Sequence, residues 1–302
     1  MSRTFVIGAR GSKLSLRQVE LVRELLRAAA PDALIDVREI HTEGDRSDAP
    51  LSQIGGLGVF TKAIEDALFA KAIDIAVHSL KDLPPQLPDG LVIGAVPERA
   101  DVRDALVTRD GRGLADLAPG ARIGTGSERR GVQLRVLRGD LVLAEIRGNV
   151  DTRIRKVEEG EYDGTMLAMA GLTRLGLGAK AAQVFETAQM LPAVGQAALG
   201  IEVRADDGEA LALVEGIEHR ATRIAVEAER AFLARLGAGC RTPIGAHAVV
   251  IGAELHFEAM IAQNDGRVPR ASDTITLPDD TALDAARALG TRMADAMQAA
   301  AR

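Results

Sequence analysis

Short apolar segments alternate with helix-patterned segments along much of the chain, and this alternation constrains the fold more than any other feature. The segment TFVIGAR predicts a buried strand, and LSLRQVELVRELLRAAA has apolar residues at helical spacing, with Ser15 and Gln18 fitting a capping box at its start. The elements that follow are the strand ALIDVREI, the helix FTKAIEDALFAKA and the strands IDIAVHS and LVIGAV. We therefore expect an α/β domain with a mostly parallel sheet.

The alternation restarts further along the chain and then changes character. The second set consists of the strand ARIGTGS, the helix ERRGVQLRVLR, the strand LVLAEIRG, the helix VDTRIRKVEE and the strand YDGTMLAMA. In the last part, AHAVVIGAELHFEAMIA predicts antiparallel strands between two helices. The pattern predicts two α/β domains and a small α+β C-terminal domain.

Composition narrows the class of protein. A single cysteine excludes an intramolecular disulfide, which fits a reducing compartment. No apolar stretch reaches the roughly 18–20 residues that span a bilayer, and the N-terminal segment does not resemble a signal peptide. The net charge of −6 does not favour nucleic acid, and no His, Cys and Asp residues have metal-ligand spacing. We expect a cytoplasmic protein without nucleic acid, membrane or metal as a partner.

Basic residues lie near the ends of several predicted strands. A single arginine is most often a solvated surface residue, but ligands of α/β sheets bind beyond the carboxyl ends of the strands. The set therefore suggests a site for carboxylates or phosphates, which arginine binds through paired hydrogen bonds. Its members are Arg10, Lys81, Arg129, Arg130, Arg147, Arg153 and Arg174.

The loop GTGSERR has features of an anion site of its own. Thr125 and Glu128 fit a capping box, and the free N–H groups of a helix start attract anions. Nucleotide binding is weakly supported, because no complete phosphate-binding glycine motif is present.

Asp82 and Cys240 each allow a structural and a chemical interpretation. Asp82 in HSLKDLP is either a turn residue or a carboxylate that stabilises a cation and moves a proton. His78 in the same segment is more often structural than a metal ligand. Cys240 in GAGCRTPIG is either an inert buried thiol or a reactive one activated by Arg241.

Several motifs together resemble the porphobilinogen deaminase family, also called the hydroxymethylbilane synthases, from about residue 4 to past residue 250. They are, in chain order, HSLKDLP, GTGSERRGVQL, EIRGNVDTR, AGLTRLGL, LPAVGQAALGIE and GAGCRTPIGA. The resemblance implies an enzyme that joins porphobilinogen molecules head to tail into the linear tetrapyrrole hydroxymethylbilane and releases ammonia. It also implies a dipyrromethane cofactor attached through a thioether to Cys240.

The same resemblance implies a monomer of three domains. Two would be α/β domains like those of periplasmic binding proteins, formed by residues 1–97 with 198–216 and by residues 103–192. The third, residues 220–302, would be the α+β domain that carries Cys240.

The resemblance assigns roles to individual residues. Porphobilinogen rings carry an acetate and a propionate, so the cofactor and the growing chain present many carboxylates. Asp82 would face pyrrole N–H groups, stabilise the cationic intermediate and help to move protons. The residues implied to bind cofactor or substrate are Arg10, Ser12, Lys81, Thr125, Ser127, Arg129, Arg130, Arg147, Arg153, Arg174 and Gln196.

Three positions depart from the family pattern. Leu57, and in some members Gln53, replace lysines in a segment, residues 43–59, that we interpret as a mobile lid, and Ala197 stands where glycine is common. Two alternatives therefore stay open. One is a cofactor-bearing homologue with impaired turnover; the other is a two-lobed protein that binds carboxylate ligands and needs neither Cys240 nor Asp82.

Overall fold

A computed structural model of the chain describes residues 3–40, 61–237, 243–263 and 265–300. These residues divide into two compact units, Met1–Arg99 with Ala198–Arg223 and Ala100–Ala197 with Ile224–Arg302. Within the described ranges no helix has the length and hydropathy that crossing a bilayer requires. The predicted lid with Gln53 and Leu57, and Cys240 with Arg241, lie outside these ranges.

The described residues form strands and helices in the alternation that the sequence predicts. The strands are β1 (Thr4–Arg10), β2 (Leu34–Ile40), β3 (Ile75–Ser79), β4 (Leu91–Ala95), β5 (Asp104–Thr108), β6 (Arg122–Gly124), β7 (Val142–Ala144), β8 (Gly164–Ala168), β9 (Gln183–Phe185), β10 (Leu199–Arg204), β11 (Ile244–Ile251), β12 (Glu254–Ile261) and β13 (Arg270–Thr276). The helices are α1 (Lys13–Ala29), α2 (Lys62–Phe69), α3 (Glu128–Leu137), α4 (Val150–Glu158), α5 (Met169–Arg174), α6 (Gly208–Glu215), α7 (Arg220–Leu236) and α8 (Ala282–Ala300).

The first unit contains a mixed sheet with the strand order β2-β1-β3-β10-β4. Strand β1 runs parallel to β2 and β3, whereas β10 runs antiparallel to β3 and β4. Strand β4 therefore points in the same direction as β1, β2 and β3, so the expectation of a mostly parallel sheet is confirmed for four of the five strands. Only β10, which returns from a distant part of the chain, runs against them. The core of this unit includes Ile7, Val22, Leu26 and Ile201.

Helix α1 packs on this sheet through a stripe of apolar residues. Val19, Val22 and Leu26 recur at helical spacing and are buried. The Ser12 hydroxyl caps the helix by accepting a hydrogen bond from the Ser15 N–H at 3.2 Å. The predicted capping residue, Ser15, is thus three positions late, because the helix already begins at Lys13.

The second unit contains a sheet with the order β7-β6-β8-β5-β9. Strand β6 runs parallel to β7 and β8, whereas β5 runs antiparallel to β8 and β9. The two five-stranded sheets therefore share one arrangement, in which an antiparallel strand is inserted next to an edge. Leu106, Ile123, Leu134 and Phe185 form part of the core.

The C-terminal part is an antiparallel sheet, β11-β12-β13, with helices α7 and α8 packed against it. Phe232 of α7 and Phe257 of β12 lie with their ring centroids 5.6 Å apart in this core. The predicted fold class, two α/β domains with a small α+β C-terminal domain, is confirmed. The predicted limits of the three domains stay a prediction.

Candidate functional site

In the first unit, candidate residues lie where two neighbouring parallel strands end. Arg10 is the last residue of β1, and its backbone N–H donates to the Ser15 hydroxyl at 3.1 Å. Ser12 follows at the start of α1, where its hydroxyl already caps the helix. Because β1 and β3 are parallel and paired, the end of β1 lies at the same sheet edge as the segment after β3.

That segment after β3 is a short 3-10 turn, Leu80–Asp82, which carries Lys81 and Asp82. The turn is fixed on its inner side, since Leu80 is buried and its N–H donates to the Ala198 carbonyl at 3.0 Å. The turn therefore holds a half-buried Lys81 and presents an exposed Asp82 from an anchored backbone.

Below this turn, His78 makes a buried contact that its neighbours in sequence do not suggest. Its Nε2 lies 2.9 Å from an Oε2 of Glu202 in the adjacent strand β10. In the described part of the chain, no group of His, Cys, Asp and Glu residues has a geometry that could hold a metal ion. The contact places His78 in the interior of the sheet.

In the second unit, the loop after β6 is held by its own hydroxyl groups. The Thr125 hydroxyl accepts from the Ser127 N–H at 3.1 Å, and the Ser127 hydroxyl accepts from the Arg130 N–H at 3.4 Å. Ser127 is therefore the capping residue of α3, and the predicted capping box of Thr125 and Glu128 is wrong by two positions. The cause is that the loop extends two residues further before the helix begins.

Arg129 and Arg130, both in the first turn of α3, point into the protein and bind an internal acid. Arg129 Nη1 donates to Asp104 Oδ2 at 2.7 Å, and Arg130 Nη2 donates to Asp104 Oδ1 at 2.7 Å. The two arginines are 6% and 7% exposed, and Asp104 is fully buried at 0%. Their assignment to cofactor or substrate carboxylates stays a prediction, but each already has a carboxylate partner within the fold.

Gln196 completes this group, which we call the Asp104 cluster: Asp104, Arg129, Arg130 and Gln196. Gln196 Nε2 donates to Asp104 Oδ1 at 3.0 Å and to the Val102 carbonyl at 2.7 Å. Burial would raise the pKa of Asp104, but the charges of both arginines outweigh burial and hold that pKa well below its usual range. Asp104 is therefore an ionised carboxylate in the interior.

A different environment surrounds Arg153 and Arg174. Arg153 Nε donates to the Gly148 carbonyl at 2.8 Å, and Arg174 Nη2 donates to the Ala197 carbonyl at 2.7 Å. Among the described residues, neither Arg153 nor Arg174 forms an ion pair with an acid. Burial, followed by the charges of Arg130 and Arg147, lowers the pKa of Arg153 to about 10, and burial lowers that of Arg174 to about 10.

The structure thus separates the predicted set into groups. Arg10, Ser12, Lys81 and Asp82 lie at one edge of the first sheet. Arg153 lies close enough to Arg130 and to Arg147 for their charges to interact, whereas Arg129, Arg130 and Gln196 surround Asp104. Sequence reasoning missed Asp104, although an acid that opens the otherwise apolar strand DALVT was a usable signal.

Both five-stranded sheets have basic side chains near the ends of their strands, where α/β domains bind their ligands. This placement is typical of proteins that bind anions. Comparison with known proteins identifies the kind. Residues 5–212 match the family model of the porphobilinogen deaminase dipyrromethane cofactor-binding domain, and residues 223–299 match that of the porphobilinogen deaminase C-terminal domain.

Curated relatives agree with both matches over nearly the whole chain. The porphobilinogen deaminase of Roseiflexus sp. strain RS-1 is 49% identical over 289 residues, which cover 95% of each chain. That of Brevibacillus brevis is 48% identical over 263 residues, covering 86% of this chain and 85% of the relative. The chain belongs to the porphobilinogen deaminase family and is an enzyme.

Solved structures of solute-binding proteins are more distant. The methionine-binding protein MetQ aligns with a TM-score of 0.45 and 12% identity, covering 71% of this chain and 89% of its own. Similarity of this degree adds nothing to the family assignment.

Proposed function

We propose that this enzyme joins four porphobilinogen molecules into hydroxymethylbilane with release of ammonia, on a dipyrromethane cofactor attached to Cys240. The single observation that carries the proposal is the surplus of positive charge in the second unit. Arg153 lies close enough to Arg130 and to Arg147 for their charges to lower its pKa, and among the described residues it forms no ion pair with an acid. Crowded guanidinium groups of this kind are stabilised by a ligand with several carboxylates.

The chemistry of the donor set fits the cofactor of this family domain. Dipyrromethane carries acetate and propionate groups, and Arg147, Arg153 and Arg174 are half-buried guanidinium groups in the cofactor-binding domain. These residues would hold the acidic groups, and the Ser127 loop would add backbone N–H donors at the start of α3. When bound, dipyrromethane supplies the pyrrole carbon to which porphobilinogen is joined.

Asp82 would perform the acid–base work of the reaction. Its exposed carboxylate stands on an anchored turn next to Lys81, so that it can approach a substrate without movement of the strand below it. It would accept hydrogen bonds from pyrrole N–H groups, stabilise positive charge and move a proton. Arg10, Ser12 and Lys81 at the same sheet edge would bind substrate carboxylates.

The test is the intact mass of the purified protein, followed by turnover of porphobilinogen. We expect a two-pyrrole adduct on the wild-type chain, none on Cys240→Ala, and hydroxymethylbilane as product. An adduct without turnover would indicate the impaired homologue suggested by Leu57. A wild-type chain without adduct, from a host that makes porphobilinogen, would reject the proposal in favour of a carboxylate-binding protein.

Asp82→Asn tests the assigned acid–base group separately. An amide neither accepts a proton nor stabilises a cation as a carboxylate does, so turnover should fall by about 10²–10⁴-fold. The melting temperature should stay the same, because Asp82 is exposed. We further propose a cytoplasmic monomer, which sedimentation of the purified chain and cell fractionation would test.

A further inference from the structure

We propose that Asp104 is a positioning residue, which orders the arginines that receive ligand carboxylates without touching the ligand itself. The inference rests on the proposed function and deepens it. Asp104 is fully buried at the start of β5, so that any effect on a ligand must pass through the side chains bonded to it.

The first connection runs from Asp104 to Arg174. Asp104 Oδ1 accepts from Gln196 Nε2 at 3.0 Å, and Gln196 also binds the Val102 carbonyl. This fixes the segment 195–197, in which Ala197 directly follows Gln196. The Ala197 carbonyl in turn accepts from Arg174 Nη2 at 2.7 Å. The position of the Arg174 guanidinium therefore depends on a chain of bonds that begins at Asp104.

The second connection runs from Asp104 to the start of α3 and to Arg153. Arg130 donates to Asp104 through Nε at 3.1 Å and Nη2 at 2.7 Å, and through Nη1 to the Met166 carbonyl at 3.0 Å. These bonds engage all three nitrogens of the guanidinium group and hold its charge in one position. Since that charge acts on Arg153, Asp104 also sets the electrostatic environment of Arg153.

The charge balance explains why one carboxylate serves two arginines. Asp104 neutralises one of the two positive charges, so the cluster keeps a surplus of positive charge that acts on Arg153. A second internal acid would cancel the attraction for a ligand, whereas no acid would leave two like charges buried together. One buried acid keeps the arginines in place and leaves the site positive.

A similar group of ion pairs in the first unit provides a matched control. Asp74 binds Arg3 at 2.6 Å and Arg204 at 2.9 Å, and Arg204 is also buried. None of these residues is assigned to ligand or catalysis. Substitutions at Asp74 therefore report what the loss of a buried ion-pair group does to the fold alone.

The experiment compares Asp104→Glu and Asp104→Asn with Asp74→Glu and Asp74→Asn. Melting temperature, cofactor occupancy by intact mass, and kcat and KM at matched occupancy are measured on folded protein. Asp104→Glu keeps the charge but displaces the carboxylate, so we expect at least a tenfold loss in occupancy or kcat, since a misplacement of about 1 Å can cost 10²-fold. The Asp74 variants should lower the melting temperature and keep kcat within about twofold.

If Asp104→Asn does not fold, the test rests on Asp104→Glu and Gln196→Met, because Gln196→Met breaks the first connection while both arginines keep their bonds to Asp104. Normal occupancy and kcat in both variants would overturn the proposal, as would equal losses in the Asp74 variants. A wild-type chain without adduct or turnover would instead reject the proposed function, so the two failures are distinguishable.

Discussion

Two pairs of arginines in the second unit have the same side chains but opposite surroundings. Arg129 and Arg130 are buried against the carboxylate of Asp104. Arg153 and Arg174 donate to backbone carbonyls and, within the described residues, face no acid. The positive charge of the first pair is partly neutralised by Asp104. The positive charge of the second pair is not neutralised by an acid of the described residues and is available to a ligand.

The difference shows that an arginine can lie close to a candidate site and still be unavailable to a ligand, because an internal acid already binds it. All four arginines lie in motifs of one family and near strand ends. Burial lowers the pKa values of Arg153 and Arg174 to about 10, and a carboxylate ligand would raise them again by favouring the charged form. The contrast predicts that substitutions in the first pair act mainly on stability and substitutions in the second mainly on ligand binding.

The largest effect is expected for Arg130→Leu. The change leaves Asp104 with one cation in place of two and leaves the Met166 carbonyl without its donor. Breaking a buried ion pair costs about 3–5 kcal/mol, so the free energy of unfolding should fall by that order. Urea unfolding of the variant and of Arg135→Leu, an exposed position on the same helix, makes the measurement. Equal stabilities of the two variants would contradict the internal role of Arg130.

Arg153→Leu should show the opposite behaviour. Truncating a charged partner of a buried carboxylate costs about 2–5 kcal/mol of binding, so cofactor occupancy or porphobilinogen turnover should fall by at least about 30-fold. The unfolding free energy of the ligand-free protein should not fall. The substitution removes a partly buried positive charge that no acid in the described residues neutralises, so no ion pair is lost.

Arg155→Leu is the control for this change, since Arg155 lies on the same helix, is exposed and pairs with Glu159 at 3.1 Å. Exposed pairs of this kind contribute about 0–1 kcal/mol. If Arg155→Leu reduced occupancy as much as Arg153→Leu, the loss would come from the helix and not from a carboxylate site.

The dependence of stability on pH should also differ between Asp104 and Arg153. The folded-state pKa of Asp104 is lowered, so its contribution to stability is fully present above the unfolded pKa of about 4 and is lost as the pH falls through the folded-state pKa. Asp104→Asn should therefore flatten the dependence of unfolding free energy on pH below about 4. Arg153→Leu should leave that limb unchanged. An acid limb of the same slope in wild type and Asp104→Asn would show that Asp104 is not an ionised partner.

The sequence predicts the elements of this fold well because hydrophobic periodicity is a local property. Apolar spacing is enough to place α1 and α3, and strand ends are enough to place Arg10 and Asp82. The capping pattern points to Thr125 and not to Ser127, because both positions hold a hydroxyl residue and only the loop length distinguishes them.

The partners of the arginines could not be predicted in the same way. Asp104 is 25 residues from Arg129 and 92 from Gln196 along the chain. The local pattern of DALVT does not show which basic side chains will bind Asp104, because those contacts depend on the pairing of β5 with β8 in the sheet. Whether an arginine serves the fold or a ligand is decided by such distant contacts.

The smallest effect concerns Ala197, whose carbonyl holds Arg174. Its φ of 72° lies in the left-handed region, where a side chain costs about 1–2 kcal/mol and glycine does not. Ala197→Gly removes this strain but also loses a buried methyl group, worth about 0.8 kcal/mol, and gives the unfolded chain about 0.4–1 kcal/mol of extra entropy. These contributions nearly cancel, so we expect an unfolding free energy within about 0.5 kcal/mol of wild type. Ala198→Gly, at the next buried position and without a positive φ, lacks the compensating strain and should lose about 1–2 kcal/mol more. Equal losses in the two variants would show that Ala197 is unstrained, and that the glycine common in the family at this position has another cause.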